Sequence, residues 1–553
     1  MCGIYGVFGI NKSFSYKDEE IKRVKKVLSG LRGKDYIGFW NDEQKKSYII
    51  HSLLSISGSD ITKQPIETSN YIFAFNGEIY SFGNLIKEND INFLEKNIND
   101  ISDTEKIIYC INKYGLNETL LNINGMYSIL LYDKKNKTVE IANDPYEQKP
   151  IYFTILNDRL VISSIETLLT KSLTLSKNAI DQAICFGYPI SQGSYFQNVS
   201  KVKGGYKYTF RFDKNKIYKI ESKFFNKFLG FKNKKPDNLI IQNKKYNKLR
   251  DSIINSVYKS IKNLKTINVL LSGGIDSTLI SSIIIKELKL KVNAFHLTGY
   301  SIGDFSDTKR LELTEEILED LTLFKYKYSN KDYEGFSSSY PGIILNEGFK
   351  PLCSILKQIP KDCRVLIGGL GADEIFLGYA RHKLNNFKTK RFSYFYNLIR
   401  LFGNKKFKNS HSFNFFTFNK LCHFLEIKDP FFKKNAENFV LSIPSNINEE
   451  TIQEHDLVHS LAKYFNPIND IVGLYYSREI RSPFLDEELI NDLKILDFSL
   501  KEIEGKRFLK KMLLDYGFTK DWINHKKIGF GPDSNKSIFM WRNNQIFKSY
   551  KSN

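Results

Sequence analysis

Leu270-Leu271-Ser272-Gly273-Gly274-Ile275-Asp276-Ser277-Thr278 stands where an apolar strand, read over Ile267 to Leu271, gives way to a helix read over Ser277 to Leu288. Two consecutive glycines let the backbone approach a polyanion, and a helix N-terminus aims unpaired N–H groups and a positive dipole at it. Ser272, Ser277 and Thr278 add hydroxyl donors, while Asp276 is a hard carboxylate suited to the Mg²⁺ that accompanies ATP. No Gly-Lys-Ser/Thr follows, so this is not a Walker A loop. A bare glycine pair would be read as a tight strand-to-helix turn; with Ser-Gly-Gly-x-Asp-Ser after a buried strand, the expectation is a polyanion cradle formed by Leu271, Ser272, Gly273, Gly274, Asp276 and Ser277.

Working outward, a helix reads over Asp251 to Ile261 before the turn and a strand over Val292 to Leu297 after it. Strands alternating with helices imply a parallel sheet. A second glycine turn, Gly368-Gly369-Leu370-Gly371-Ala372-Asp373-Glu374, follows the strand Arg364 to Ile367 and falls at the same carboxyl edge, where open α/β sheets bind ligands. Asp373 and Glu374 are then carboxylates for metal or nucleotide, against the plainer reading of acids complementing a helix dipole.

The first part of the chain has a different rhythm. Residues 1–212 read as short alternating strands, such as Tyr71-Ile72-Phe73-Ala74-Phe75 and Tyr206-Lys207-Tyr208-Thr209-Phe210, bounded by Asn, Asp, Gly and Lys turns. Residues 213–245, rich in Lys, Asn and Phe, read as a linker, and 246–553 as the second domain. At the start stands Met1-Cys2-Gly3-Ile4. Once the initiator Met is trimmed, Cys2 would carry a thiol and an α-amine whose ordinary pKa is about 8, a nucleophile with its own base. The alternative is an unremarkable frayed terminus, which the apolar alternation Ile4, Tyr5, Val7, Phe8 argues against.

Composition sets the class. The 553 residues are too many for one core, and 42% hydrophobic content is enough to fill two. No apolar run of about 18 residues is present, so no membrane span is expected, and a cytoplasmic location follows. Six scattered cysteines lack Cys-x-x-Cys spacing, which gives neither a disulfide framework nor a zinc site. The net charge of +21 raises nucleic acid as a partner, but the lysines are spread with Asn and Ile through the chain, and nucleic acid is not the expected ligand.

Taken together, the terminal Cys2-Gly3-Ile4 strand and the Ser-Gly-Gly-x-Asp-Ser turn resemble the glutamine-hydrolysing asparagine synthetase family. Matches follow in family order: Arg32-Gly33 with Asp35, Asn76-Gly77-Glu78-Ile79-Tyr80, Ser102-Asp103, Asn124-Gly125-Met126, and Asp144 with Lys149-Pro150-Ile151-Tyr152. The second half adds Gly371-Ala372-Asp373-Glu374 with Gly378-Tyr379, Arg481-Ser482-Pro483-Phe484-Leu485-Asp486, and Lys506. The resemblance implies an α/β protein: an N-terminal Ntn-hydrolase αββα sandwich followed by an adenine-nucleotide α-hydrolase-like parallel-sheet domain. It implies that Cys2 attacks the glutamine amide, that the Asn76 side chain and Gly77 N–H form the oxyanion hole, and that Arg32, Glu78 and Asp103 bind glutamine. It further implies that Gly368, Gly369 and Lys506 join the phosphate turn around ATP and pyrophosphate, that Asp276 and Asp373 hold Mg²⁺, and that ammonia crosses to a β-aspartyl-AMP made from ATP and aspartate. The partners are then small molecules, and a homodimer is left open. Read without the family, Asn76-Gly77 is a hairpin turn, Asp103 a helix cap, and Arg481 to Asp486 a packing segment.

Several positions depart from the family pattern. Leu53, in His51-Ser52-Leu53, stands where an Arg would pair with the glutamine α-carboxylate, leaving Arg32 or Lys34 as substitute cations. Leu31 and Lys34 replace the usual His and Pro, and Asn143 and Glu147 the usual Arg and Gly. Leu370 stands where asparagine-forming members carry Glu, and Asn346 to Leu352 fits the acceptor pocket poorly. These losses keep two rivals in play: a divergent amidotransferase acting on another carboxylate, such as a sugar acid or peptide, and a non-catalytic protein of the same architecture.

Overall fold

The computed structural model describes residues 2–9, 16–42, 46–56, 62–86, 101–156, 159–169, 174–179, 188–189, 193–213, 216–224, 237–299, 304–329, 331–344, 349–379, 453 and 456–524. The first domain contributes β1 (Gly3–Gly9), β2 (Tyr36–Asn41), β3 (Ser47–Leu53), β4 (Ile66–Glu67), β5 (Tyr71–Ser81), β6 (Asn124–Asp133) and β7 (Thr138–Asn143). It continues with β8 (Tyr152–Ile155), β9 (Arg159–Ser163), β10 (Ser200–Lys201), β11 (Tyr206–Asp213) and β12 (Lys216–Lys223). They form two six-stranded sheets ordered β10-β8-β9-β1-β3-β2 and β12-β11-β7-β6-β5-β4.

Side-chain alternation stacks these sheets into four layers. In β1, Tyr5 and Val7 face helix α1 (Asp18–Leu31), whereas Ile4 and Phe8 enter the core between the sheets. In β5, Ile72 and Ala74 enter that same core, while Phe73 and Phe75 pack under helix α2 (Asp103–Asn122). Strand period two therefore yields helix, sheet, sheet, helix. α1 presents Ile21, Val24 and Leu28 to its sheet and carries Asp18, Glu19 and Glu20 in its first turn, where acids suit the dipole. α2 starts with a full capping box, Ser102 and Glu105 each satisfying the other's backbone N–H.

The second domain holds β13 (Asn268–Leu270), β14 (Val292–Thr298), β15 (Leu321–Lys327), β16 (Val365–Ile367) and β17 (Glu479–Arg481), all parallel, in the order β15-β14-β13-β16-β17. The order reverses at β13, so a crevice opens at the carboxyl ends of β13 and β16, where both glycine turns lie. Helix α3 (Leu239–Ile261) is capped by Asn238 and buries Leu249, Ile253, Val257 and Ile261 at four-residue spacing.

The segment read as a linker contains β12, paired along its length with β11, and the start of α3. Period-two patterning in a Lys-rich edge strand is nearly invisible to sequence, because its outer positions are all polar or exposed. The stretch 385–445, read as helical, lies outside the described residues.

Candidate active sites

Strand β1 delivers Cys2 to the end of the inter-sheet core, where it is 6% exposed. Its N–H donates to Asn76 Oδ1 at 2.8 Å. Asn76 Nδ2 is buried and has no partner among the described residues, so the amide is anchored by one end and offers a donor from the other. Asn76-Gly77 is not a turn: Asn76 pairs with Ser128 and Gly77 with Tyr127 in the middle of the β5–β6 ladder. A Cβ on Gly77 would lie 2.0 Å from Met126 O, so close strand approach explains the glycine.

His51 pairs with Ile4 across β1 and β3, which turns its ring to the side shared by Ile4 and, by the two-residue period, Cys2. Its Nε2–H donates to Phe75 O at 3.0 Å, since a carbonyl only accepts. Burial pushes the Cys2 thiol up, but the His51 imidazole and the amino terminus more than reverse this, bringing it from 9.0 to about 7. A titration follows. Alkylation of Cys2 by iodoacetamide is expected to accelerate with pH and level off above about 7, because the thiolate is the reacting form. Cys353, which burial pushes up to about 12, stays silent in that window. Mass-spectrometric labelling rates across pH check this, and a midpoint at the ordinary 9.0 would contradict the geometry.

Arg32 does not face a ligand. Its Nε donates to Cys2 O at 2.9 Å, Nη1 to Ser164 O at 3.4 Å, and Nη2 to Asp470 Oδ2 at 2.6 Å, with both side chains of the ion pair almost wholly buried. Asp470 lies on helix α4 (Asn466–Tyr475) of the second domain. Arg32, expected at the glutamine, here clamps the strand that carries Cys2. The Lys34 ammonium donates to Tyr475 O at 3.2 Å on the exposed domain boundary. Leu53 closes β3 opposite Tyr36.

Glu78 and Asp103 do come together. Asp103 lies in the first turn of α2, after the Ser102 cap, and accepts from Ile79 N at 3.1 Å and Thr104 N at 2.7 Å. Burial raises both carboxyls, Glu78 to about 8, and Asp103 adds to the rise in Glu78. Two acids crowded this way favour a cationic ligand.

At the second site Ser272 N and Oγ both contact Ser277 Oγ at 3.1 Å, closing the phosphate turn on itself, and Gly273 takes φ of 71°, which favours glycine. The second turn packs so close that a Cβ on Gly369 would lie 2.8 Å from Asp276 Cβ. Lys506 Nζ sits between the two acids, 2.7 Å from Asp276 Oδ2 and 2.6 Å from Asp373 Oδ1. Burial lowers its pKa, but Asp276 and Asp373 more than offset that and raise it. Its backbone is left-handed, φ 59°, held by Lys506 N–H to Phe376 O at 3.0 Å, and a Cβ on Gly378 would strike its Cε at 2.1 Å. Asp276, Asp373 and Lys506 are thus one cluster beside Gly368 and Gly369. Leu370 is elsewhere engaged, packed against the apolar core.

Residues 1–224 match a family model described as a glutamine amidotransferase domain, and residues 248–549 one described as asparagine synthase. The chain belongs to the asparagine synthase family. Glutamine-hydrolyzing asparagine synthetase 1 of Bacillus subtilis is 27% identical over 395 residues, 68% of this chain and 59% of that relative. The human glutamine-hydrolyzing asparagine synthetase is 23% identical over 487 residues, 82% of this chain and 80% of the relative, and that of Rattus norvegicus 24% over 483. Among solved structures, a glutamine phosphoribosylpyrophosphate amidotransferase from Bacillus subtilis overlaps 53% of this chain and 65% of that chain at 15% identity, with a TM-score of 0.29. That overlap is too slight to bear on the fold. Among the described residues no helix is long and apolar enough to cross a membrane.

Two residues were missed from sequence. Asp470 sits inside a helix with no motif around it. Arg481, read as packing, reaches Glu78 of the other domain at 3.2 Å.

Proposed function

We propose that this asparagine synthase family member is a cytoplasmic, glutamine-dependent asparagine synthetase. The carrying observation is the anchored Asn76 amide, its Nδ2 unpartnered beside a thiol held near 7. After removal of Met1, the freed α-amine of Cys2 takes the thiol proton. Sγ attacks the glutamine amide carbon, Asn76 Nδ2 and Gly77 N–H receive the oxyanion, ammonia leaves, and water hydrolyses the thioester. Glu78 and Asp103 grip the substrate α-ammonium.

In the second domain the aspartate β-carboxylate attacks the α-phosphorus of ATP, giving β-aspartyl-AMP and pyrophosphate. Ammonia then attacks the acyl carbon and AMP departs. The Ser272–Ser277 turn and Gly368-Gly369 cradle the phosphates, and Lys506 neutralises charge on the leaving pyrophosphate. Two carboxylates set around a single ammonium are hard oxygen donors that fit Mg²⁺, so Asp276 and Asp373 are the residues to hold it. When bound it would supply charge neutralisation at the phosphates.

The test follows pyrophosphate and asparagine with ATP, Mg²⁺, aspartate and either glutamine or ammonium. Asparagine formed with both nitrogen sources is the expected result. Leu370, half-buried and packed against the apolar core, favours a second reading in which another carboxylate is the acceptor. Pyrophosphate release with a sugar acid or peptide and never with aspartate would select it. No turnover with any acceptor would select the non-catalytic reading.

A further inference from the structure

Arg481 ends β17, the edge strand beside β16. Its guanidinium, 2% exposed, is held by Nε to Glu479 Oε1 at 2.6 Å and by Nη1 donating to Ser260 O at 2.8 Å. Both partners belong to the second domain. With those two sides fixed, Nη2 is aimed across the domain boundary at Glu78 Oε2, 3.2 Å away, and the ring of Tyr80 lies 5.8 Å from the guanidinium carbon. The carbonyl of Arg481 accepts from Gly368 N–H at 2.8 Å, so the same residue braces the second glycine turn.

We propose that Arg481 is a positioning residue for glutamine, supplied by the second domain: it orients Glu78 as a carboxylate with Oε1 turned to the substrate α-ammonium. The inference rests on glutamine being the nitrogen donor. The glutamine site is then completed only when the two domains are docked.

The electrostatics run the same way. Burial pushes the Glu78 carboxyl up to about 8, Arg481 is the strongest influence pulling it down, Asp103 and Glu479 push it up, and the amino terminus pulls it down. Lys106 of α2 lies within electrostatic range of Glu78, and Lys262, just past α3, is tied to Tyr80 O at 3.1 Å. A protonated Glu78 cannot pair with an ammonium. Loss of Arg481 charge therefore weakens glutamine binding most at neutral pH, and the deficit shrinks as pH rises and Glu78 ionises without help.

The experiment compares glutamine KM, ammonium KM and kcat for Arg481→Lys, Glu78→Gln, their double variant and Arg481→Met, with glutamate and pyrophosphate release as readouts between pH 6.5 and about 9. Lysine keeps the charge but cannot satisfy Glu479, Ser260 and Glu78 together. The expected result is a glutamine KM raised roughly tenfold relative to the ammonium KM in Arg481→Lys, with little added effect in the Glu78→Gln background, whereas Arg481→Met, which removes the charge, shows a gap that narrows as pH rises. A parallel rise of both KM values would mark a merely structural role and overturn the proposal. So would an unchanged glutamine KM. A wild-type chain that releases no glutamate from glutamine would instead remove the donor reading, and this inference with it.

Discussion

Cys2→Ala is expected to cut glutamine-dependent product formation by roughly a thousandfold or more, while ammonium still supports pyrophosphate release. In the proposed reaction the Cys2 sulfur forms the thioester, so alanine removes that bond. His51 is held by Phe75 O, Arg32 by Cys2 O, Ser164 O and Asp470, and Asn76 by the Cys2 N–H. The Cys2 thiol meets His51 and the Leu54 backbone, but β1 is held by its ladders with β3 and β9 and by Arg32 at Cys2 O, so the substitution is expected to leave the strand in place and the second domain intact. Paired assays with glutamine and with ammonium separate the halves. Equal loss with both nitrogen sources would mean that Cys2 serves the fold or the adenylation step, and that the relay between the domains is misassigned.

Lys506→Met is expected to abolish pyrophosphate release with either nitrogen source, on the order of a thousandfold, in the range seen when a single phosphate-facing cation is removed. The ground-state picture explains why the effect is large. Asp276 and Asp373 are crowded around one ammonium, and deleting it leaves two carboxylates facing each other beside a phosphate site. Lys506→Arg should recover only part of the rate, since the larger planar head meets the limited room against Gly378 and the two acids. Glutaminase turnover, measured as glutamate release, is the control and should persist in both variants. If Lys506→Met retained adenylation, the cluster would be a structural ion pair, and the phosphate site would have to be sought elsewhere on the β13–β16 edge.

Much of this was legible along the chain, for local reasons. Ser-Gly-Gly-x-Asp-Ser after a buried strand specifies backbone geometry and donors within nine residues, so its chemistry travels with the sequence. Alternation in β1 and β5 likewise announces two faces, and those faces became the two sides of the sandwich. Ser102 and Glu105 mark a helix start because the capping groups lie three residues apart.

Local signals failed where a contact joins distant segments. Asn76-Gly77 has the composition of a hairpin turn, yet lies mid-strand because Met126 and Tyr127 press too close for any side chain at Gly77. Arg32 looked free to meet a substrate and is instead spent on Asp470, 438 positions away. Arg481 looked like packing and instead carries an ion pair to Glu78.

By itself the sequence marked the two architectures, a terminal thiol in a buried strand and a glycine turn between strand and helix, since each depends on residues within one strand, turn or helix. Only the tertiary structure decided which charges meet across the domain boundary. A buried cation there must find its acceptors in protein, and which acceptors those are depends on how the two domains dock.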